Sequence, residues 1–288
     1  YDIITNGILD FERIFKMGKV IIVASGKGGT GKTTLTANLG AALSLRQKSV
    51  VVVDMDMGLR NLDVALGLES NIVYDVADII ENTCTLDDAI IKDSRFESLF
   101  FIPSPQTRDA ASIAIENEEE TWKKFWERLS DRFDFCLIDA PAGIEGGFKY
   151  ALYGAHSAII ITLAETAALR DADRVISVLE DKDIEDIRLV INRIRPDMIE
   201  KGIMMDVDRC IDMLEIPILG IISDDIELIS STLKGELAVM NGKSKAGEAF
   251  KNIAGRILGE NIPVMNLEDT DKKNLWERIK RLFGKRKE

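Results

Sequence analysis

The chain has 288 residues, 46% hydrophobic and 30% charged, with 21 glycines, a composition that buries a substantial core and excludes disorder and fibrous repeats. Its formal net charge of −12 is unevenly spread: residues 270–288 hold eight basic and three acidic side chains, a net of +5, which leaves 29 basic against 46 acidic elsewhere, or −17. An acidic body repels a phosphate backbone, which argues against DNA as a partner, whereas a short basic tail suits an anionic surface. Cys84, Cys136 and Cys210 lie far apart, and the single His156 has no Cys/His cluster around it. Neither a disulfide framework nor a zinc or iron-sulfur site is expected, which suits a reducing cytosol. The apolar runs are strand-sized, far short of the roughly 20 residues of a spanning helix, and no secretory signal pattern is visible.

Residues 1–16 (YDIITNGILDFERIFK) read as an N-terminal extension that the fold does not need, with an amphipathic partner-binding arm as the alternative. From Met17 apolar runs alternate with helical stretches. Strands are expected at Val20–Ala24, Val50–Val53, Leu99–Ile102, Phe135–Ile138, Ala158–Thr162, Arg188–Ile191 and Ile218–Ile222, and helices at Lys32–Leu45, Glu118–Arg132, Leu169–Leu179, Asp206–Leu214 and Ala246–Leu258. Strands apolar throughout and separated by helices predict an α/β fold: one doubly wound, mostly parallel sheet over 17–260, covered on both faces. A polar linker is expected over 261–269, followed by a separate helix over 270–288.

The first strand runs straight into Ser25-Gly26-Lys27-Gly28-Gly29-Thr30-Gly31-Lys32-Thr33-Thr34, which satisfies GxxxxGK[ST] from Gly26 to Thr33. Its glycines let successive N–H groups converge on phosphate oxygens at the positive end of the following helix, which makes this a P-loop. Lys32 is placed to reach the β and γ phosphates of ATP and Thr33 to ligate Mg²⁺. Lys27 leaves the loop where it cannot easily fold back onto its own phosphates, which predicts a homodimer with ATP between the protomers. Two further strands end in carboxylates, Asp54-Met55-Asp56 and Asp139-Ala140-Pro141, at the sheet edge where ligands of open α/β folds collect. Asp139 is the candidate holder of Mg²⁺ through water, Asp54 a second outer-shell candidate, and Asp56 the candidate to orient or activate the attacking water.

Together with GLRNLD (Gly58 to Asp63), PSPQTRD (Pro103 to Asp109), DAPAGIEGGF (Asp139 to Phe148), ETAALRDADRVI (Glu165 to Ile176) and VINRIRPDMIEKGIMMDVD (Val190 to Asp208), these residues resemble the deviant Walker A ATPases, and within them the branch that selects the cell-division site. The resemblance spans Met17 to the C-terminus. It implies that Lys27 acts across a dimer, that Asp56 is the switch I carboxylate needed for hydrolysis, that Asn61 lies near the dimer interface, and that Asn192 and Arg193 line the adenine pocket. It further implies slow ATP hydrolysis stimulated by a MinE-like activator, recruitment of a MinC-like division inhibitor and ATP-dependent membrane attachment. A ParA-like DNA-segregation ATPase shares the loop and the dimer logic but has no need of a basic tail. A relative that controls flagellar number carries a DQA-type motif that residues 1–16 lack.

In the tail, Leu275, Trp276, Ile279, Leu282 and Phe283 fall within an arc of about 120° on a helical wheel. Arg278, Lys280 and Arg281 surround that arc, where basic groups reach lipid headgroups. Such a helix, about 20 Å long from Asp271 to Phe283, lies in the interface of an anionic membrane and cannot span it; a helix packed on the domain is the alternative. The expected location is the cytoplasm and, peripherally, the cytoplasmic face of the cell membrane.

Overall fold

The computed structural model describes residues 17–113 and 115–264. The N-terminal extension, the end of the linker and the amphipathic tail lie outside the described residues.

In chain order the elements are β1 (Lys19–Ser25), α1 (Lys32–Ser44), β2 (Val50–Asp54), α2 (Leu62–Leu66), α3 (Val76–Ile80), α4 (Leu86–Ala89), β3 (Ile91–Lys92), β4 (Leu99–Ile102), α5 (Glu118–Arg132), β5 (Phe135–Ala142), α6 (Phe148–Leu152), β6 (Ser157–Leu163), α7 (Thr166–Glu180), β7 (Ile187–Ile194), α8 (Pro196–Glu200), α9 (Val207–Leu214), β8 (Ile218–Ser223), α10 (Ile226–Leu233) and α11 (Lys245–Ile257), joined by short 3₁₀ turns. One eight-stranded sheet has the order β3-β4-β2-β5-β1-β6-β7-β8, parallel except for the short β3. All seven expected strands are present, with β5 running four residues further than the sequence indicates. The strands read as continuous apolar runs because both faces are covered. Val20, Ile22 and Ile138 point into one core with α5 and α7, while Ile21, Val23 and Leu137 point into the other with α1 and α11.

The chain order reverses beside β1, whose neighbours are β5 and β6. The carboxyl ends of β1, β2, β5 and β7 therefore meet along one edge, the position where open α/β sheets hold ligands. Gly40 sets the height of α1 over that sheet: a Cβ there would lie 2.7 Å from Val52 Cγ1 and 3.2 Å from Leu99 Cδ1. In the first part of the expected linker the Arg256 guanidinium donates to the carbonyls of Ile262 and Pro263, which holds the chain against the body up to Val264.

At the opposite edge His156 secures the start of β1. Its backbone N–H donates to Val20 O at 2.9 Å and its ring Nδ1 accepts from Val20 N–H at 3.1 Å. Partial burial and then the Lys19 ammonium hold the imidazole below its ordinary pKa. The folded protein thus binds fewer protons than the unfolded chain just below pH 6.5, so this contribution is complete above that pH and is lost as pH falls through the folded value. Urea midpoints at pH 7.5 and 5.5 should fall more for the wild type than for His156→Asn, whose amide oxygen replaces the acceptor without titrating. Equal falls would remove His156 from the pH response. Gly40→Ala should cost about 1–3 kcal/mol in the same assay through overpacking, despite alanine's better helix propensity.

Candidate functional site: the nucleotide edge

β1 delivers the chain into the loop at Ser25, and Gly31 caps α1 with φ 101° and no side-chain hydrogen bond to the first turn. The leading N–H groups of α1 are thus left to an incoming anion. Two contacts fix the loop. Asn192, at the end of β7, donates through Nδ2 to Thr30 O at 2.7 Å, and a Cβ on Gly31 would lie 2.4 Å from that same nitrogen. On the other side a Cβ on Gly26 would meet the Asp171 carbonyl carbon at 2.2 Å. Gly26 is required by its neighbour across the edge, and Gly31 by its neighbour and its left-handed φ together. Gly28 and Gly29 differ, being exposed with no atom of the described residues beyond their chain neighbours within 4 Å of a built Cβ.

Lys32 is buried. Burial pulls its ammonium below the ordinary lysine value, while Asp139 and then Asp56 hold it charged. One of its three N–H donors goes to Ser25 Oγ at 2.9 Å, and Ser25 Oγ in turn donates to Lys27 O at 2.8 Å. Sequence reasoning missed this serine, which steers the lysine head along the loop. Lys27 points away: its Nζ lies 3.1 Å from Glu165 Oε2, just past the end of β6, in a solvent-exposed pair. Thr33 and Thr34 are partly exposed at the first turn of α1.

Asp54 and Asp139 sit side by side in the β2–β5 register, with relative exposures of 0% and 1%. Burial pushes both carboxyls up, and Asp139 adds to the effect on Asp54. Asp139 is offset by hydrogen bonds from Thr33 and Thr36 and by the Lys32 charge, the Thr36 hydroxyl lying 3.4 Å from Oδ1. Thr36, one turn beyond Thr33, is a second residue the motif does not announce. Asp54, the second outer-shell candidate, is engaged by the backbone. Its Oδ1 accepts from Asp56 N–H at 2.8 Å and its Oδ2 from Leu62 N–H at 3.2 Å, so it shapes the loop between them. Asp56 stands half-buried in that loop; desolvation raises its carboxyl and Lys32 opposes the rise. Asn61 is exposed at the N-cap of α2. Arg193 is exposed with φ 55°, and its N–H donates to Asn192 Oδ1 at 2.8 Å. The expected adenine pair thus divides into a buried brace for the P-loop and an outward arginine.

This arrangement fits a magnesium nucleotide. Thr30 Oγ1 is buried beneath the loop with no partner among the described residues, the α1 N-terminus is uncapped, and Lys32 has donors to spare. Among the described residues no three His, Cys, Asp or Glu side chains form a preassembled cation site. The Thr33 hydroxyl and the Asp139 carboxylate beside it suit Mg²⁺, which keeps several waters and takes nucleotide phosphates with one or two protein ligands.

The comparisons agree with that geometry. The CobQ/CobB/MinD/ParA nucleotide binding domain matches residues 21–239. The chain is 46% identical over 272 residues to the septum site-determining protein MinD of Bacillus subtilis strain 168, covering 94% of this chain and 100% of that protein. Among solved structures, the MinC:MinD cell division protein complex of Aquifex aeolicus is 41% identical with TM-score 0.79, covering 86% of this chain and 99% of that one. The septum site-determining protein MinD of Pyrococcus horikoshii OT3 complexed with Mg-ADP is 30% identical with TM-score 0.72, covering 84% and 96%.

Asn192→Ala strips the Thr30 carbonyl of its donor and leaves it in a buried site, a loss of about 1–3 kcal/mol. Nucleotide affinity, read by titration with a fluorescent ADP analogue, should weaken about tenfold. Affinity within twofold of wild type would remove Asn192 from the site.

Proposed function

Because the chain belongs to the CobQ/CobB/MinD/ParA nucleotide-binding family, and within it to the MinD cell-division ATPases, we propose that it is an ATP-dependent dimerising switch that attaches to the cytoplasmic face of the cell membrane and positions the division site. The observation that carries this reading is the direction of Lys27. Its side chain leaves its own loop for Glu165 in an exposed pair, and such a pair is worth only about 0–1 kcal/mol. The ammonium is therefore released at little cost to a phosphate presented by a second protomer. The space open over Gly28 and Gly29 and the exposed apolar side chains of Leu59, Val64 and Ile144 in and beside the carboxylate loops give that protomer a surface to cover.

Within one protomer Lys32 and the α1 N–H groups would hold the phosphates, and Asp56 would orient the attacking water. Magnesium, held by Thr33 and through water by Asp139, would supply charge neutralisation of the phosphates. Pairing two chains presents two basic amphipathic tails at once, so a segment that holds weakly alone binds through avidity. A MinC-like inhibitor docks on the dimer, by analogy with the Aquifex aeolicus complex, and a MinE-like activator triggers hydrolysis and release. A DNA-segregation role is disfavoured by the −17 charge of the body.

Lys27→Ala should remain monomeric with ATP in light scattering, whereas Asp56→Ala should form a dimer that persists because turnover is lost. An unchanged phosphate-release rate in Asp56→Ala would refute its role. The full chain should pellet with anionic liposomes in ATP and little in ADP, and a chain ending at Asp269 should stay in solution with either. Retention of the truncated chain on liposomes would sink the membrane half of the cycle.

A further inference from the structure

The last described segment is tied down at every step. After α11 the chain turns back, with Glu260 N–H donating to Gly255 O and Ile262 N–H to Glu260 O, each at 2.9 Å. The return packs closely on Gly255, where a Cβ would lie 2.4 Å from Ile262 Cδ1 and 2.5 Å from Glu260 Oε2 and would displace those side-chain ends. Arg256 spreads its fork over three carbonyls: Nε to Ile262 O at 3.0 Å, Nη1 to Leu219 O of β8 at 2.8 Å, and Nη2 to Pro263 O. Arg46, just past α1, adds an ion pair to Glu260 at 3.1 Å. α11 packs in the α1 core, but Val264 packs in the core on the other face. Residues 258–264 therefore cross from one layer to the other around the β8 rim, and Arg256 rivets the crossing to the strand.

We propose that Arg256 is a positioning residue for the membrane segment: it fixes the point on the β8 rim from which the tail departs and keeps the tether short. The inference rests on the tail binding membrane. Five residues separate Val264 from the sequence-predicted helix at Thr270, and five residues reach at most about 18 Å. Released after residue 260, the chain has nine and reaches about 32 Å, nearly double. Effective concentration of the second tail falls roughly as the −3/2 power of tether length, so doubling the tether weakens two-tailed attachment about threefold. A lysine offers a point charge and no fork, so it does not restore three carbonyl contacts.

The test uses the full chain on vesicles of phosphatidylcholine and phosphatidylglycerol, with ATP or ADP. Arg256→Ala, and separately a five-residue Gly/Ser insertion between Val264 and Met265 that leaves the clamp intact, should each lower ATP-state vesicle affinity about threefold. ADP-state affinity and nucleotide binding should not change, and Arg256→Lys should resemble Arg256→Ala. Wild-type affinity in both altered chains overturns the proposal. Loss in Arg256→Ala alone, with the insertion silent, also overturns it, by showing that the arginine acts through folding and not through tether length. If the wild type ignores vesicles in both nucleotides, the membrane reading itself fails, and that result is visible without any variant.

Discussion

Two carboxylates buried side by side in adjacent strands are the constraint around which the nucleotide edge is arranged. Asp54 and Asp139 are register partners in β2 and β5 with almost no solvent exposure, and an uncompensated buried ion costs several kcal/mol. The fold answers each differently. Asp54 takes two backbone N–H groups, which fixes the loop carrying Asp56 and the start of α2. Asp139 takes hydroxyls from the first turns of α1 and the nearby Lys32 charge. The geometry of the loop carrying Asp56 is thus a by-product of satisfying a carboxylate, and the helix behind the P-loop is docked to β5 through the same requirement.

One residue type performs two tasks here because its surroundings differ. Lys32 is desolvated and braced by Ser25 Oγ, with its charge maintained by Asp139 and Asp56. Lys27, five residues earlier, is solvated and, among the described residues, pairs with the surface carboxylate of Glu165. A fixed lysine suits binding that persists through the cycle, whereas a loosely held one suits a contact made only when a second protomer arrives.

The long parallel strands were legible because a sheet covered on both faces demands unbroken apolar runs, and the P-loop was legible because its spacing encodes backbone shape. β3 was not, since two residues, Ile91 and Lys92, take their strand conformation from pairing with β4. Helices of four or five residues carry too little length for a 3.6-residue period, although the capping boxes begun by Asp75 and Thr85 mark α3 and α4 in retrospect. α10 hid for another reason: Ile226, Ile229 and Leu233 keep helical spacing but face solvent, so their pattern did not report a core. In the site, the roles of Glu165 and Asn192 arise from contacts 138 and 162 residues distant in sequence. Local motif reading has no access to such pairs, so the Asn192 brace could be named as a nucleotide residue but not as a support for the loop.

The far rim of the sheet follows a separate logic with a functional result. A terminal strand exposes unpaired backbone groups and invites association with another chain, and at β8 the Leu219 carbonyl is taken up by Arg256. The guanidinium that covers this edge also grips the chain leaving the domain, so protecting the strand and placing the exit are a single act. Had the edge been covered by a side chain from elsewhere, the tail would depart from the end of α11, on the other face of the sheet. Carrying the chain around β8 places its departure on the α7 and α9 side, and a symmetric pair of protomers would fix the relation between their two departure points as firmly as each β8 rim is held.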